Sequence, residues 1–260
     1  MGTVDRALLA LSEISLPYGL YEIFTKTSQS FDNDSYTSGG EGITFRNLER
    51  RWSKDECRED KVMGELPTIY LARHGETEWS LSGQHTGVTD LLLTERGERN
   101  ARQLGERLKG LMFAKVFTSP LRRAVRTCEL AGFGSGAETD RDLMEWNYGD
   151  YEGRRTAEIL AERPNWQLFR DGCPNGESPN EVGKRADRVV RRVRTVNGNV
   201  LLFSSGHFSR VFAARWLGLE PEAGRFFLLS TASLGMLAYE HDSLSEPVIR
   251  LWNDTRHVEI

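Results

Sequence analysis

Cysteine is scarce: Cys57, Cys128 and Cys173 are the three in a chain of 260 residues. An odd number so widely spaced excludes a disulfide framework or a metal knuckle and fits reduced thiols. Long hydrophobic runs are missing too, since no apolar stretch approaches the roughly 20 residues that span a bilayer. The start, with Asp5 and Arg6 before a brief apolar run over 7–11 and Glu13 soon after, makes a poor signal peptide. The expected location is cytoplasmic, with no membrane partner. A charge surplus of either sign is also lacking: 28% of residues are charged, yet the formal net charge is only −4. Such a balance offers no polyanion-binding surface, so nucleic acid is not the expected partner.

What is present is the composition of an ordinary globular protein, 38% hydrophobic, long enough to bury one substantial core plus an appendage. Residues 1–65 differ from the rest. The stretch 25–42 is rich in Ser, Asp, Asn, Thr and Gly, with too few apolar groups to offset ordering entropy. The expectation is a loosely held N-terminal extension over 1–65 and one catalytic domain over 66–260. Met63 stands just before the first strand, and the expectation is that the domain begins there, the preceding segment being an optional leader or a misassigned start.

The chain is organised around Thr68-Ile69-Tyr70-Leu71-Ala72-Arg73-His74-Gly75-Glu76-Thr77. An apolar run of strand length stops at an arginine, a histidine and a glycine, which puts that cluster at the carboxyl end of a buried strand, where open α/β sheets keep their ligand crevices. Arginine offers a planar cationic fork for phosphate, and unprotonated histidine is a nucleophile. Glycine is expected to let a bulky ligand approach the backbone. Phosphate chemistry is the first expectation.

Downstream, Gln84-His85-Thr86-Gly87 reads as a loop, with His85 at the rim of a site. Thr94 caps a helix whose Ala101, Leu104, Leu108 and Leu111 recur at helical spacing. A second strand over 114–118 leads to Pro120, placed in the first turn of another helix. Leu121, Ala124, Val125 and Cys128 form its buried stripe and leave Arg122, Arg123 and Arg126 off the core. The first-turn pair Arg122 and Arg123 makes an anion site. In the loop 142–153, Glu145, Asp150 and Glu152 are three acids that chemistry alone does not rank as proton donor. A long helix ends near Thr195, and Asn199 to Ser204 supplies a third strand. Ser205-Gly206-His207-Phe208 then repeats the opening logic of strand, glycine, histidine and helix start, so two strands deliver histidines to one sheet edge. The stretches 232–239 and 248–252 add two more strands, while His241 and His257 are read as surface residues.

Taken together, Arg73-His74-Gly75-Glu76-Thr77, Thr86-Gly87, Ser119-Pro120-Leu121-Arg122-Arg123-Ala124, Glu145 with Tyr148-Gly149, and Gly206-His207 resemble the histidine phosphatase superfamily. The resemblance covers about Thr68 to the C-terminus. Within it, 145–153 and 171–178 look like the branch of broad acid phosphatases and the sedoheptulose bisphosphatase. It implies a three-layer α/β/α sandwich with a mostly parallel central sheet, phosphoglycerate-mutase-like. It also implies a metal-independent phosphomonoester hydrolase acting on small phosphorylated metabolites such as sugar phosphates, with no cofactor. By the same resemblance His74 becomes phosphorylated and Glu145 is the general acid. Arg73, Arg123 and a protonated His207 hold the phosphoryl oxygens, and Thr86, Gly87 and Tyr148 contact substrate. Mutases of the family usually carry an arginine and a histidine after the acid. Trp146 and Asn147 stand there instead, which weighs against a mutase. A phosphoglycerate-mutase-type phosphotransferase and a non-enzymatic phosphate-binding module are the alternatives.

Overall fold

The computed structural model describes residues 66–258. The extension expected over 1–65, with Met63 and Cys57, lies outside the described residues. In chain order the elements are β1 (Ile69–Arg73), α1 (Glu78–Ser82), α2 (Glu95–Leu108), β2 (Lys115–Thr118), α3 (Arg122–Leu130), β3 (Ala137–Thr139), α4 (Thr156–Glu162), α5 (Leu168–Asp171), α6 (Pro179–Arg194), β4 (Val200–Ser204), α7 (Gly206–Trp216), β5 (Leu234–Tyr239) and β6 (Pro247–Asp254).

The six strands form one sheet in the order β3-β2-β4-β1-β5-β6. The β1–β4, β2–β4 and β2–β3 pairs are parallel, whereas β5 pairs antiparallel with both β1 and the edge strand β6. Central parallel strands are covered on both faces, so they read as unbroken apolar runs. Val200-Leu201-Leu202-Phe203-Ser204 is buried throughout. Alternate residues face opposite layers. Ile69, Leu71, Val200 and Leu202 pack with Val182, Ala186, Phe208 and Phe212 from α6 and α7. Tyr70, Ala72, Leu201 and Phe203 pack with Leu104, Leu108 and Cys128 from α2 and α3. This is the expected three-layer α/β/α arrangement.

Local expectations mostly hold. Thr94 Oγ1 accepts from Gly97 N at 3.0 Å, and α6 opens on a capping box between Ser178 and Glu181 with Pro179 in the first turn. Pro120, however, precedes α3, which begins at Arg122. Leu111 lies beyond the end of α2. Arg123 is not off the core but fully buried. Strand β3 was not foreseen; its Ala-Glu-Thr segment is short and mostly exposed, so it leaves no apolar signature. His257 is half-buried, its Nε2 bonded to Ala232 O at 2.8 Å, rather than a free surface residue.

Candidate active site

Register brings the two histidine motifs together. In the parallel β1–β4 pair Arg73 stands opposite Ser204, and the His74 N–H donates to Ser204 O at 3.0 Å. The chain after β1 and the chain after β4 therefore leave the sheet side by side. Arg73, His74, Glu145, Gly206 and His207 line one cleft of about 250 Å³, with Thr86 and Tyr148 among its other walls.

The glycines have different jobs from the one expected. A Cβ on Gly75 would lie 2.5 Å from Gly97 O, so the missing side chain admits the first turn of α2 rather than a ligand. A Cβ on Gly206 would lie 3.1 Å from Arg73 Cζ, so this glycine leaves room for the guanidinium.

Each histidine is held through its Nδ1. His74 Nδ1 is 2.7 Å from Gly75 O; a carbonyl only accepts, so Nδ1 carries the proton and Nε2 keeps its lone pair. Burial, then the charges of Arg123 and Arg73, push the His74 imidazolium well below its ordinary range,. His207 Nδ1 lies 2.5 Å from Tyr148 Oη. Burial holds the Tyr148 hydroxyl well above the usual phenol range, so it keeps its proton and is able to donate to Nδ1, the arrangement that leaves Nε2–H toward the cleft. Burial, then Arg210, His85 and Arg73, lower His207 well below the ordinary imidazole range. That direction runs against the protonated His207 expected from the resemblance.

The three acids are separated by position. Glu145 alone among them lines the cleft. Its Oε1 accepts from Trp146 N at 2.9 Å and Phe208 N at 2.7 Å, and its Oε2 from His207 N at 3.0 Å. Asp150 is exposed and bonded to Asn175. Glu152 Oε1 accepts from Gly87 N and Thr89 N.

Arg73 donates from Nη1 to Leu229 O at 2.5 Å, while its buried Nε has no acceptor among the described residues. Arg123 stands behind the cleft rather than on its wall. Its terminal nitrogens hold Thr86 O, Gly87 O and Thr89 O at 2.8 to 3.0 Å, and its Nε is likewise buried without an acceptor. Orphaned buried donors cost about 1–3 kcal/mol each, which an arriving anion would offset. Gly87 lies off the cleft: its N–H goes to Glu152, its carbonyl to Arg123, and a Cβ there would meet Trp146 O at 2.5 Å.

Sequence reasoning underrated His85, which is buried and faces the cleft with its ring 6.0 Å from that of His207. It missed Arg210, Gln84, Trp79 and Thr156. Arg210 follows His207 by three positions on α7, a spacing that shares a helix face and carried the available signal. Among the described residues no group of three or more His, Cys, Asp and Glu is placed to hold a metal ion.

Residues 69–255 match the histidine phosphatase superfamily (branch 1). The chain belongs to that family. An acid phosphatase of Mycobacterium tuberculosis is 41% identical over 177 residues, covering 66% of this chain and 87% of that protein. A sedoheptulose 1,7-bisphosphatase of Saccharomyces cerevisiae is 33% identical, covering 71% of this chain and 92% of that protein. A probable phosphoglycerate mutase of Erwinia tasmaniensis is 31% identical, covering 74% and 94%. A solved open reading frame product of Mycobacterium tuberculosis superposes with a TM-score of 0.67 at 37% identity, covering 72% of this chain and 96% of that one. The expected fold and the expected phosphatase class are borne out. Among the described residues no helix is long and apolar enough to cross a membrane.

Proposed function

We propose that this chain hydrolyses small phosphomonoesters, sugar phosphates foremost, through a phosphohistidine at His74. The observation that carries the reading is the state of His74. Its Nδ1–H is bonded to Gly75 O, its proton affinity is depressed by burial and two arginines, and its Nε2 pair remains in a cationic cleft.

In the first step the His74 Nε2 pair forms a bond to phosphorus as the ester P–O bond breaks, and Glu145 gives a proton to the departing oxygen. In the second, water bonds to phosphorus, the N–P bond breaks, and the Glu145 carboxylate takes the water proton. Orthophosphate then leaves. Arg73, the Arg123 charge and the His207 Nε2–H stabilise the equatorial oxygens, as fixed cationic and hydrogen-bonding groups do in phosphoryl transfer. Tyr148 acts through His207, Gly87 through the loop that Arg123 grips, and Thr86 touches the leaving group.

A cleft of about 250 Å³ sits at the small end of ligand pockets, which favours metabolites over phosphoproteins. Ser80, Gln84, Thr86 and Thr156 on its walls offer uncharged polar groups suited to sugar hydroxyls. The net charge of −4 weighs against nucleic acid, and the scarce cysteines fit a cytoplasmic setting. Trp146 supports hydrolysis over mutase chemistry: it is fully buried, its Nε1 donates to Glu177 O at 2.8 Å, and it adds no charge to the cleft.

Product analysis in the presence of a hydroxy-acid acceptor and EDTA tests this. The expected result is one orthophosphate released per ester consumed. Phosphorylated acceptor in place of free phosphate would make the chain a mutase, and tight binding without turnover a non-enzymatic module.

A further inference from the structure

We propose that His257, in the segment after β6, is a positioning residue for the site: through the backbone of the loop 228–233 it holds Arg73 and His74 in place. The proposal rests on the phosphatase reading and adds to it a residue that stands outside the cleft.

The loop before β5 backs both groups. Leu229 O accepts from Arg73 Nη1 at 2.5 Å, Ser233 O accepts from Arg73 N at 3.1 Å, and Ala232 N donates to His74 O at 2.9 Å. Since His74 N donates to Ser204 O, the main chain of the nucleophile is held from β4 on one side and from this loop on the other. Ala232 makes its contact in a left-handed conformation, φ 54°, which a residue with a Cβ keeps only where its surroundings impose it. Its N–H goes to His74 and its carbonyl to His257 Nε2, 2.8 Å away. A carbonyl only accepts, so Nε2 carries a proton.

The grip on the loop comes from the C-terminal strand and the turn beyond it. Trp252 Nε1 donates to Leu228 O at 2.6 Å, and Asn253 Oδ1 accepts from Ser230 N at 2.7 Å. With His257 on Ala232, every second residue from 228 to 232 is held. Water can replace the first two contacts, which are exposed, but Ala232 is fully buried and its carbonyl depends on His257,. The turn carrying His257 is anchored in its own right. Buried Asp254 accepts from Arg256 N at 3.2 Å through Oδ1 and from Arg107 Nη2, on α2, at 3.2 Å through Oδ2. His257 is not among the residues lining the cleft, so its effect on the reaction passes through the loop.

The test compares three variants. In His257→Gln the amide nitrogen reaches the Nε2 position, in His257→Asn it stops at the Nδ1 position, and His257→Leu has no donor. With an aryl phosphate as substrate, kcat per folded molecule is expected to fall about 5- to 10-fold in the Asn and Leu variants, the weight of one buried hydrogen bond. KM should stay within about 2-fold, because a displaced Arg73 and His74 cost the transition state more than the bound ester. The Gln variant should recover most of the loss. Hydrogen exchange read by NMR does not depend on turnover: the Ala232 amide is expected to exchange about 10-fold faster or more in the Asn and Leu variants, while Leu202 in β4 keeps its protection. A chain that hydrolyses nothing yet shows this local opening loses the phosphatase reading and keeps His257 as the holder of the loop. One that hydrolyses the ester with unchanged kcat in the Asn and Leu variants keeps the reading and loses the proposal. Protection lost at Leu202 together with Ala232 would make His257 a general stability contact and overturn it, as would a Gln variant no better than Asn. Should the Leu variant fail to fold, the contrast between Gln and Asn decides the same question.

Discussion

At His207 the ring is held by a hydrogen bond to Tyr148. The Tyr148 hydroxyl lies 2.5 Å from Nδ1, and if it donates there the proton sits on Nε2, toward the proposed phosphoryl position. Removing that hydroxyl in Tyr148→Phe frees the ring to exchange tautomers. The loss of a buried hydrogen bond of this kind is worth about 0.5–1.5 kcal/mol, so kcat is expected to fall up to about 10-fold. Nitrogen NMR should then show a mixed His207 tautomer. An unchanged kcat with an unchanged tautomer would mean that Tyr148 does not position this ring. The histidines themselves were legible because each follows a strand-length apolar run and sits beside a glycine. The depressed proton affinity of His207 was not, since it depends on burial and on Arg210 and His85, which lie near it only in the folded chain. Arg123 was half-legible: helical spacing placed it off the apolar stripe, but the loop carbonyls that let a buried guanidinium persist come from residues 86–89.

Among the elements, helix α6 does more than cover the sheet. Arg185 on it donates from Nη1 to Asp142 O at 2.8 Å and Met144 O at 2.9 Å, and from Nη2 to Glu145 O at 3.2 Å. Glu177 grips the same guanidinium at 2.7 and 2.8 Å, and the carbon end lies 5.0 Å from the Phe208 ring centroid. One side chain thus fixes the backbone that carries the candidate acid against the start of α7. Hydrogen bonds to charged groups contribute about 1.5–3 kcal/mol. Arg185→Met is therefore expected to lower the urea midpoint and to reduce kcat more than it raises KM, because Glu145 loses its alignment while the phosphate ligands stay. A rise in KM at constant kcat would place Arg185 on substrate binding instead. Strand order and this clamp were beyond sequence reading for one reason: both join segments far apart in the chain, whereas periodicity reports only which face of each element is apolar. The same limit hid the role of Gly75, whose neighbour Gly97 opens the next helix.

For the whole molecule, burying neutral imidazoles couples stability to pH. Burial depresses His74, His207 and His85 in the folded state, whereas an unfolded chain takes up protons on them near pH 6.5. Above about pH 6.5 neither state is protonated and the stability is fully present. Below it the unfolded state binds more protons, so stability falls by up to about 1.4 kcal/mol per pH unit for each such histidine. The urea midpoint should drop between about pH 7.5 and 5.5, and the drop should shrink in His207→Gln; a midpoint that rises on acidification would contradict buried neutral rings. Over the same window the depressed His74 is expected to stay unprotonated, so acidification should weaken the fold before it slows turnover. The fold class was largely legible because an α/β sandwich announces itself through alternating apolar strands and amphipathic helices. The charge inventory of the cleft was not, because Arg210 becomes part of it only when α7 docks. The most direct measurement is acid-sensitive trapping of the enzyme during turnover of a phosphorus-labelled ester. The expected result is label that survives base, is lost in acid and maps to the peptide bearing His74, with none in His74→Ala. Label on another residue, or undiminished turnover by His74→Ala, would contradict the account.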